Sequence, residues 1–402
     1  MNNNHSGDRY LRSLGLRPAQ DSDALAAQLR QAVGDAQAEA ALSALYTAAG
    51  GLDRQETAAF YDRKNQHPQA SLILSAAHDW DLLCQTCQWV TQHPDAFGAT
   101  ILDVGCDCGL LSCFLAQTFP HSRITSIDRS ANGIHAAQQL AERLGLTNIT
   151  FLHTDLETLP PMAFDTVFSS RTVQENYDPL LENARFLPLT HQGRICAQVF
   201  QRYTSLLCQF VKPGGTFVTV ERMERDRVFL GYCLALHSQG LDLVPESHQE
   251  LHCQEGDHTT TLQAFCGIKE GRTTTTDAED FFIATFQDAL TWQPRHLDVE
   301  GELILELCAQ DLIRGHFLHN PQGARVGKLA IYTSKFDPEE LFYYQGILGQ
   351  PVQVHRLSRG ELSDVLALLE TDLATLTAST LSAHPFSFRD GVELLLEEME
   401  ED

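Results

Sequence analysis

Apolar residues recur at helical spacing early in the chain. Leu25, Leu29 and Val33, then Ala41, Leu42, Leu45 and Tyr46, predict two short helices within 21–49. The same period continues over 52–65 and 70–93, so residues 1–98 read as a helical N-terminal region whose first 20 residues are polar and loose. At Thr100 the pattern changes abruptly. Strands are predicted at 100–104, 123–128, 149–154 and 164–169, alternating with helices at 110–119 and 131–144. A helix over 195–211 runs into Lys212-Pro213-Gly214-Gly215, a turn leading to a strand at 216–221. After a helix over 225–239, two extended runs at 240–246 and 260–270 suit an antiparallel edge pair separated by a polar loop. Such β-α alternation predicts an α/β fold, a Rossmann-like, seven-stranded, doubly wound sheet over 99–271.

The polar, threonine-rich tract 271–280 reads as a linker. Beyond it the pattern predicts helices at 280–290 and 301–313, a strand at 328–333, a helix at 338–347, a strand at 352–357 and a helix at 361–373. These make a small C-terminal α/β domain over 280–402, ending in an acidic amphipathic helix at 393–402.

Composition narrows the classes. With 43% apolar and 20% charged residues in 402, the chain is a folded one with room for more than one domain. The 53 acidic residues against 28 basic give a net charge of -25, which argues against nucleic acid as a partner. Eleven scattered cysteines, an odd number, read as reduced thiols, and neither a leader nor a membrane-length apolar run is present, so the expected location is cytoplasmic without membrane insertion. Cys84 and Cys87 form C-x-x-C inside a helix and Cys106 with Cys108 form C-x-C; without a second pair at ligand spacing both read as small core residues, and no metal is expected.

Candidate chemistry concentrates in "DVGCDCG", residues 103–109, at the end of the first predicted strand. A dinucleotide turn needs G-x-G-x-x-G, but Asp107 and Leu110 stand where the second and third glycines would. Asp103 and Gly105 instead match a turn with an acidic residue two positions before its first glycine. Hydrolase-elbow and P-loop motifs are absent. "ILDVGCDCGLLS", "ITSIDRS", "LHTDLETLP", "FDTVFSS" and "FVKPGGTFVTVER" occur in the order and spacing of the class I S-adenosylmethionine-dependent methyltransferases, which the chain resembles from about Ala70 to Glu270.

That resemblance implies S-adenosylmethionine as cofactor, a cationic sulfonium without phosphates. It implies Asp103 near the methionine amino group, Gly105 and Gly109 as close backbone, and Cys106 and Arg129 alongside the ligand. It further implies Asp128 on the ribose hydroxyls, Asp155 and Leu156 at the adenine, and Ser169 beneath the methyl donor. Asp107 departs from the pattern and is expected to be a solvent-facing loop residue. Arg171, Glu175 and Glu221 are the candidate catalytic residues, at the carboxyl edge where an acceptor is held.

Residues 302–369 are also faintly similar to the N-terminal domain of type II secretion and pilus ATPases, the matching stretch 327–369 giving a strand, an Asp-Pro helix start, a second strand and a helix opened by Ser358 and Glu361. That similarity implies a protein partner for the C-terminal domain. Two functions follow: a methyltransferase acting on a small molecule or protein side chain, or a methyltransferase-shaped scaffold that docks a protein.

Overall fold

The computed structural model describes residues 6–19, 21–46, 54–174, 176, 189–255, 258–269, 278–285, 295–296, 307–335, 337–348, 353–378, 380–389 and 392–395. Contacts divide the chain into two compact units. One comprises Met1–Leu181, Cys196–Glu224 and Gly231–Phe281; the other comprises Glu182–Ile195, Arg225–Leu230 and Phe282–Asp402. Among the described residues no helix is long and apolar enough to cross a membrane.

In the first unit, helices α1 (Ser6–Ser13), α2 (Ser22–Val33), α3 (Asp35–Tyr46), α4 (Arg54–Lys64), α5 (Pro68–His78) and α6 (Trp80–Gln92) precede the sheet. The segment expected to be loose therefore contains a helix. It was missed because its apolar anchors are few in a polar stretch, yet Tyr10, Leu11, Leu14 and Leu16 are all buried, and the Tyr10 hydroxyl donates to Leu110 O at 2.8 Å.

Strands β1 (Thr100–Val104), β2 (Arg123–Asp128), β3 (Ile149–His153), β4 (Phe164–Ser170), β5 (Val211–Arg222), β6 (Leu241–Leu243), β7 (Gln249–Glu255) and β8 (His258–Lys269) form the sheet. Its order is β3-β2-β1-β4-β5-β8-β6, with β7 also paired to β8. Pairs from β3 to β5 are parallel; β8 runs antiparallel to β5, β6 and β7. The sheet has eight strands where seven were expected, because β7 lies in the presumed polar loop. Its alternation is visible only in burial: Leu251 and Cys253 face the core while His252 and Gln254 are exposed.

Helices α7 (Leu110–Thr118), α8 (Ala131–Leu144), α9 (Leu189–Cys208) and α10 (Arg227–Ser238) fill the connections. Sequence dictates α8 closely: the Ser130 hydroxyl caps it by accepting from Gly133 N at 2.9 Å, Ile134, Ala137 and Leu140 bury one face, and Gly145 in the left-handed region ends it. Parallel β1 and β4 are neighbours although β2 and β3 extend the other side of β1. The carboxyl ends of β1 and β4 therefore flank the crevice where strand order reverses.

In the second unit, β9 (Arg295–His296), β10 (Ala309–His319), β11 (Arg325–Ser334), β12 (Glu340–Ile347), β13 (Gln353–Ser358), β14 (Ser382–Arg389) and β15 (Val392–Leu395) form a sheet of order β15-β14-β10-β11-β12-β13-β9. Every pair in it is antiparallel. Helix α12 (Leu362–Thr377) covers one face through Val365, Leu369 and Leu373, which pack with Leu318, Leu329, Ile331 and Tyr343; a further helix, α11 (Ala278–Ala284), precedes this sheet in the chain.

Three helix expectations are corrected here. Residues 309–313 open a strand, 338–347 is mostly β12, and Val392–Leu395 is a strand. In β12, Leu341 to Tyr344 are all buried, so the run shows neither period and its aromatic content decides for strand. Asp337 does not start a helix. It makes a turn, its carboxylate accepting from Glu339 N at 2.9 Å, which removes the helix on which the similarity to secretion ATPases rested. The Ser358–Glu361 capping box is present at the start of the segment leading to α12. Most of the expected linker, 271–277, together with 286–290, 301–306 and 396–402, lies outside the described residues.

Candidate cofactor site

The loop between β1 and α7 is built by three left-handed residues, Gly105 (φ 74°), Asp107 (φ 47°) and Gly109 (φ 82°). A side chain at Gly105 would place its Cβ 2.7 Å from Thr172 Cγ2, and one at Gly109 would lie 2.6 Å from Ala137 Cβ. Both glycines are thus required by conformation and by space. Gly105 N and Cys106 N donate to Ile127 O at 2.9 and 3.1 Å, which pulls the loop over the end of β2. The result is a cavity of about 300 Å3 beside this main chain, at the carboxyl ends of β1, β2 and β4 and against α4 and α5.

Of the residues singled out in the sequence, Asp103, Gly105, Cys106, Asp128, Arg129, Asp155, Leu156 and Arg171 line this one cavity. Asp103 is buried and accepts from Ser112 Oγ at 2.5 Å; burial pushes its carboxyl up to about 6 despite that hydrogen bond. Asp128 accepts from Ser130 N on Oδ1 and from Asp107 N on Oδ2, at 2.7 and 2.8 Å. Burial, with Asp107 nearby, raises Asp128 to about 6 as well. Each Asp128 oxygen has a second lone pair for a further donor. Asp155 follows β3 and lies 3.9 Å from Arg129 Nε, and Leu156 beside it is buried.

Asp107 is not the solvent-facing residue that was expected. Its Oδ2 accepts from Lys64 Nζ at 2.7 Å and from Ser75 Oγ at 2.9 Å, and its Oδ1 accepts from Asn65 Nδ2 at 2.7 Å. Burial opposes ionisation, but Lys64 and these donors outweigh it and hold the Asp107 carboxyl below its usual range. Burial likewise opposes the charge on Lys64, and Asp107 more than restores it. The partners come from the end of α4, the turn after it and the body of α5, far away in the sequence.

Gly109, Ser169 and Glu221 do not line the cavity. Ser169 is buried within 2.6 Å of Thr172 Oγ1 and donates to Glu221 Oε1 at 3.1 Å. Glu221 also accepts from Thr172 N and Val173 N, both at 3.2 Å, and burial raises its carboxyl to about 7. Its carboxylate ties Ser169 at the end of β4 to Thr172 and Val173 of the loop that follows. Glu175 lies outside the described residues. Arg171 is one of two non-glycine residues with positive φ (56°) among those described, and its guanidinium ion-pairs with Asp79, to which His78 Nδ1 also bonds at 2.8 Å. Sequence reading missed Lys64, His78, Asp79 and Tyr203, all of which line the cavity. The thiols of Cys87, Cys106 and Cys108 are free and buried, and burial pushes each up.

A family model described as a methyltransferase domain matches residues 96–265. A ribosomal RNA small subunit methyltransferase G from Chlorobium luteolum is 37% identical over 106 residues, covering 26% of this chain and 42% of that protein. One of the same name from Bacillus thuringiensis is 26% identical over 163 residues, covering 40% and 60%. A malonyl-[acyl-carrier protein] O-methyltransferase from Paenibacillus is 28% identical over 118 residues, covering 29% and 37%. The chain thus spans less than two thirds of each of these relatives. The exclusion of nucleic acid drawn from net charge is overturned by the relatives named for ribosomal RNA: overall charge does not decide the partner of a domain of this kind. The motif series, the sheet order with its crevice and the family match agree: residues 96–265 are a class I methyltransferase domain.

Proposed function

We propose that this chain is an S-adenosylmethionine-dependent methyltransferase whose acceptor is an RNA. The observation that carries the reading is the cavity itself, walled by two desolvated carboxylates and bare glycine main chain at the strand-order crevice. Such a lining suits a cation with ribose hydroxyls and offers no cradle for a pyrophosphate. When bound, the cofactor supplies an activated methyl group. Asp103 sits buried where it can balance positive charge at the amino-acid end, and Asp128 keeps one lone pair on each oxygen for the ribose hydroxyls. Asp155 and Leu156 border the adenine end. On the acceptor side, the guanidinium of Arg171 is fixed by Asp79, and Tyr61 and Tyr203 give aromatic walls against which a base can lie.

RNA as the acceptor class is supported by the relatives named for ribosomal RNA. The malonyl-carrier relative favours a second reading, a carboxyl acceptor on a carrier-bound chain. Calorimetry with S-adenosylhomocysteine tests the cofactor: absence of binding at millimolar ligand overturns the proposal. Transfer of labelled methyl groups into total RNA, against an acyl-carrier fraction, separates the acceptors.

A further inference from the structure

Asp107 stands where the resemblance expects a glycine, and it is more heavily bonded than any other side chain of its loop. Three donors from α4, the turn after it and α5 converge on its carboxylate: Lys64, Asn65 and Ser75. Asn65 is itself held by Ser71, whose hydroxyl donates to Asn65 Oδ1. A second tie lies alongside, where Asp62 of α4 accepts from Ser130 Oγ and Asn132 N, both at 3.2 Å, and Asn132 Nδ2 donates to Asp62 O at 2.9 Å. Helix α4 is therefore fastened at the loops after β1 and β2, two of those that frame the cavity, and Tyr61 and Lys64 on it are cavity walls. The packing leaves no slack: a Cβ at Gly133 would lie 2.9 Å from Asn65 Nδ2 and 3.1 Å from Asp107 O.

We propose that Asp107 is a positioning residue that latches α4 and α5 across the cofactor cavity through Lys64, Asn65 and Ser75, so that retention of the adenosyl-amino-acid ligand, with or without its methyl group, depends on a carboxylate in place of the usual glycine. The inference rests on the cofactor reading above. Restoring glycine relieves the left-handed backbone at this position, so a loss of ligand in that variant comes from the missing carboxylate and not from strain.

The test compares D107G, D107N, K64M and the double variant D107N/K64M with the unaltered chain, with S-adenosylhomocysteine as probe. D107G and D107N should each speed ligand dissociation at least tenfold while association changes less than threefold. The double variant should be no worse than the poorer single one, because both changes break the same latch. Wild-type dissociation in D107G, or effects that multiply in the double variant, overturns the proposal. Should D107G fail to fold, D107N carries the comparison, since asparagine also tolerates positive φ. If the unaltered chain binds no S-adenosylhomocysteine, the cofactor reading falls and the latch is judged alone by amide hydrogen exchange of α4 without ligand. Faster exchange in D107N supports it, and equal exchange overturns it.

Discussion

Asp103 and Asp128 hold their protons to about pH 6 because burial disfavours their charged forms. The sign follows from linkage. Between the ordinary aspartate value and 6 the folded chain binds more protons than the unfolded one, so these two groups subtract stability as pH rises through that interval. A cationic ligand needs them ionised. Affinity for S-adenosylmethionine should therefore climb from pH 5 to about 7 and then level off, as calorimetry across that range would register; an affinity flat from pH 5 to 8 would contradict the assignment. Replacing Asp128 with Asn keeps the shape but removes the charge and one acceptor, and should cost about 1.5–3 kcal/mol of binding, roughly ten- to a hundredfold in Kd. Both aspartates were legible because each closes a strand next to a recognisable turn. The role of Asp107 was not: its partner Lys64 lies 43 residues earlier, and nothing local in either stretch signals the pairing. Glu221, read from its place at a strand end as a candidate reactant, is a buried carboxylate that bonds three neighbours and does not line the cavity.

Helix α8 and strands β1 to β4 follow the predicted boundaries to within a residue or two, because caps, glycines and apolar runs all point one way there. Strand β12 did not, since a run buried on both sides carries no period to read; β10 did not either, because Gln310 and Asp311 are exposed while Leu312 and Ile313 are half-buried, so its start shows no strand alternation. Contacts between elements impose the tightest demands. Replacing Gly109 with Ala should destabilise the first unit by about 2–4 kcal/mol, through left-handed backbone and through overlap with Ala137 on α8. A thermal melt with no shift would show that the loop relaxes instead. Replacing Tyr10 with Phe removes the hydroxyl that reaches Leu110 O at the start of α7 and should cost about 1 kcal/mol, measurable in urea.

With 53 acidic and 28 basic residues the whole chain carries a net charge of -25, so any attraction to RNA phosphates comes from a local set of basic side chains. If RNA is the acceptor, few phosphates are neutralised, and log affinity should fall against log salt with a slope of only about -2. A steep slope would require a basic groove that the composition does not suggest. Shape and stacking within the crevice would then carry recognition.

Strand β8 bonds to β5, β6 and β7, yet it follows all three in the chain. During translation the ribosome therefore releases three strands before the one that joins them. Until residues 258–269 emerge, the outer edge of β5 has no hydrogen-bonding partner and is open to pairing with other nascent chains. A product terminated after residue 255 should sediment or stay on chaperones, whereas full translation should yield soluble protein.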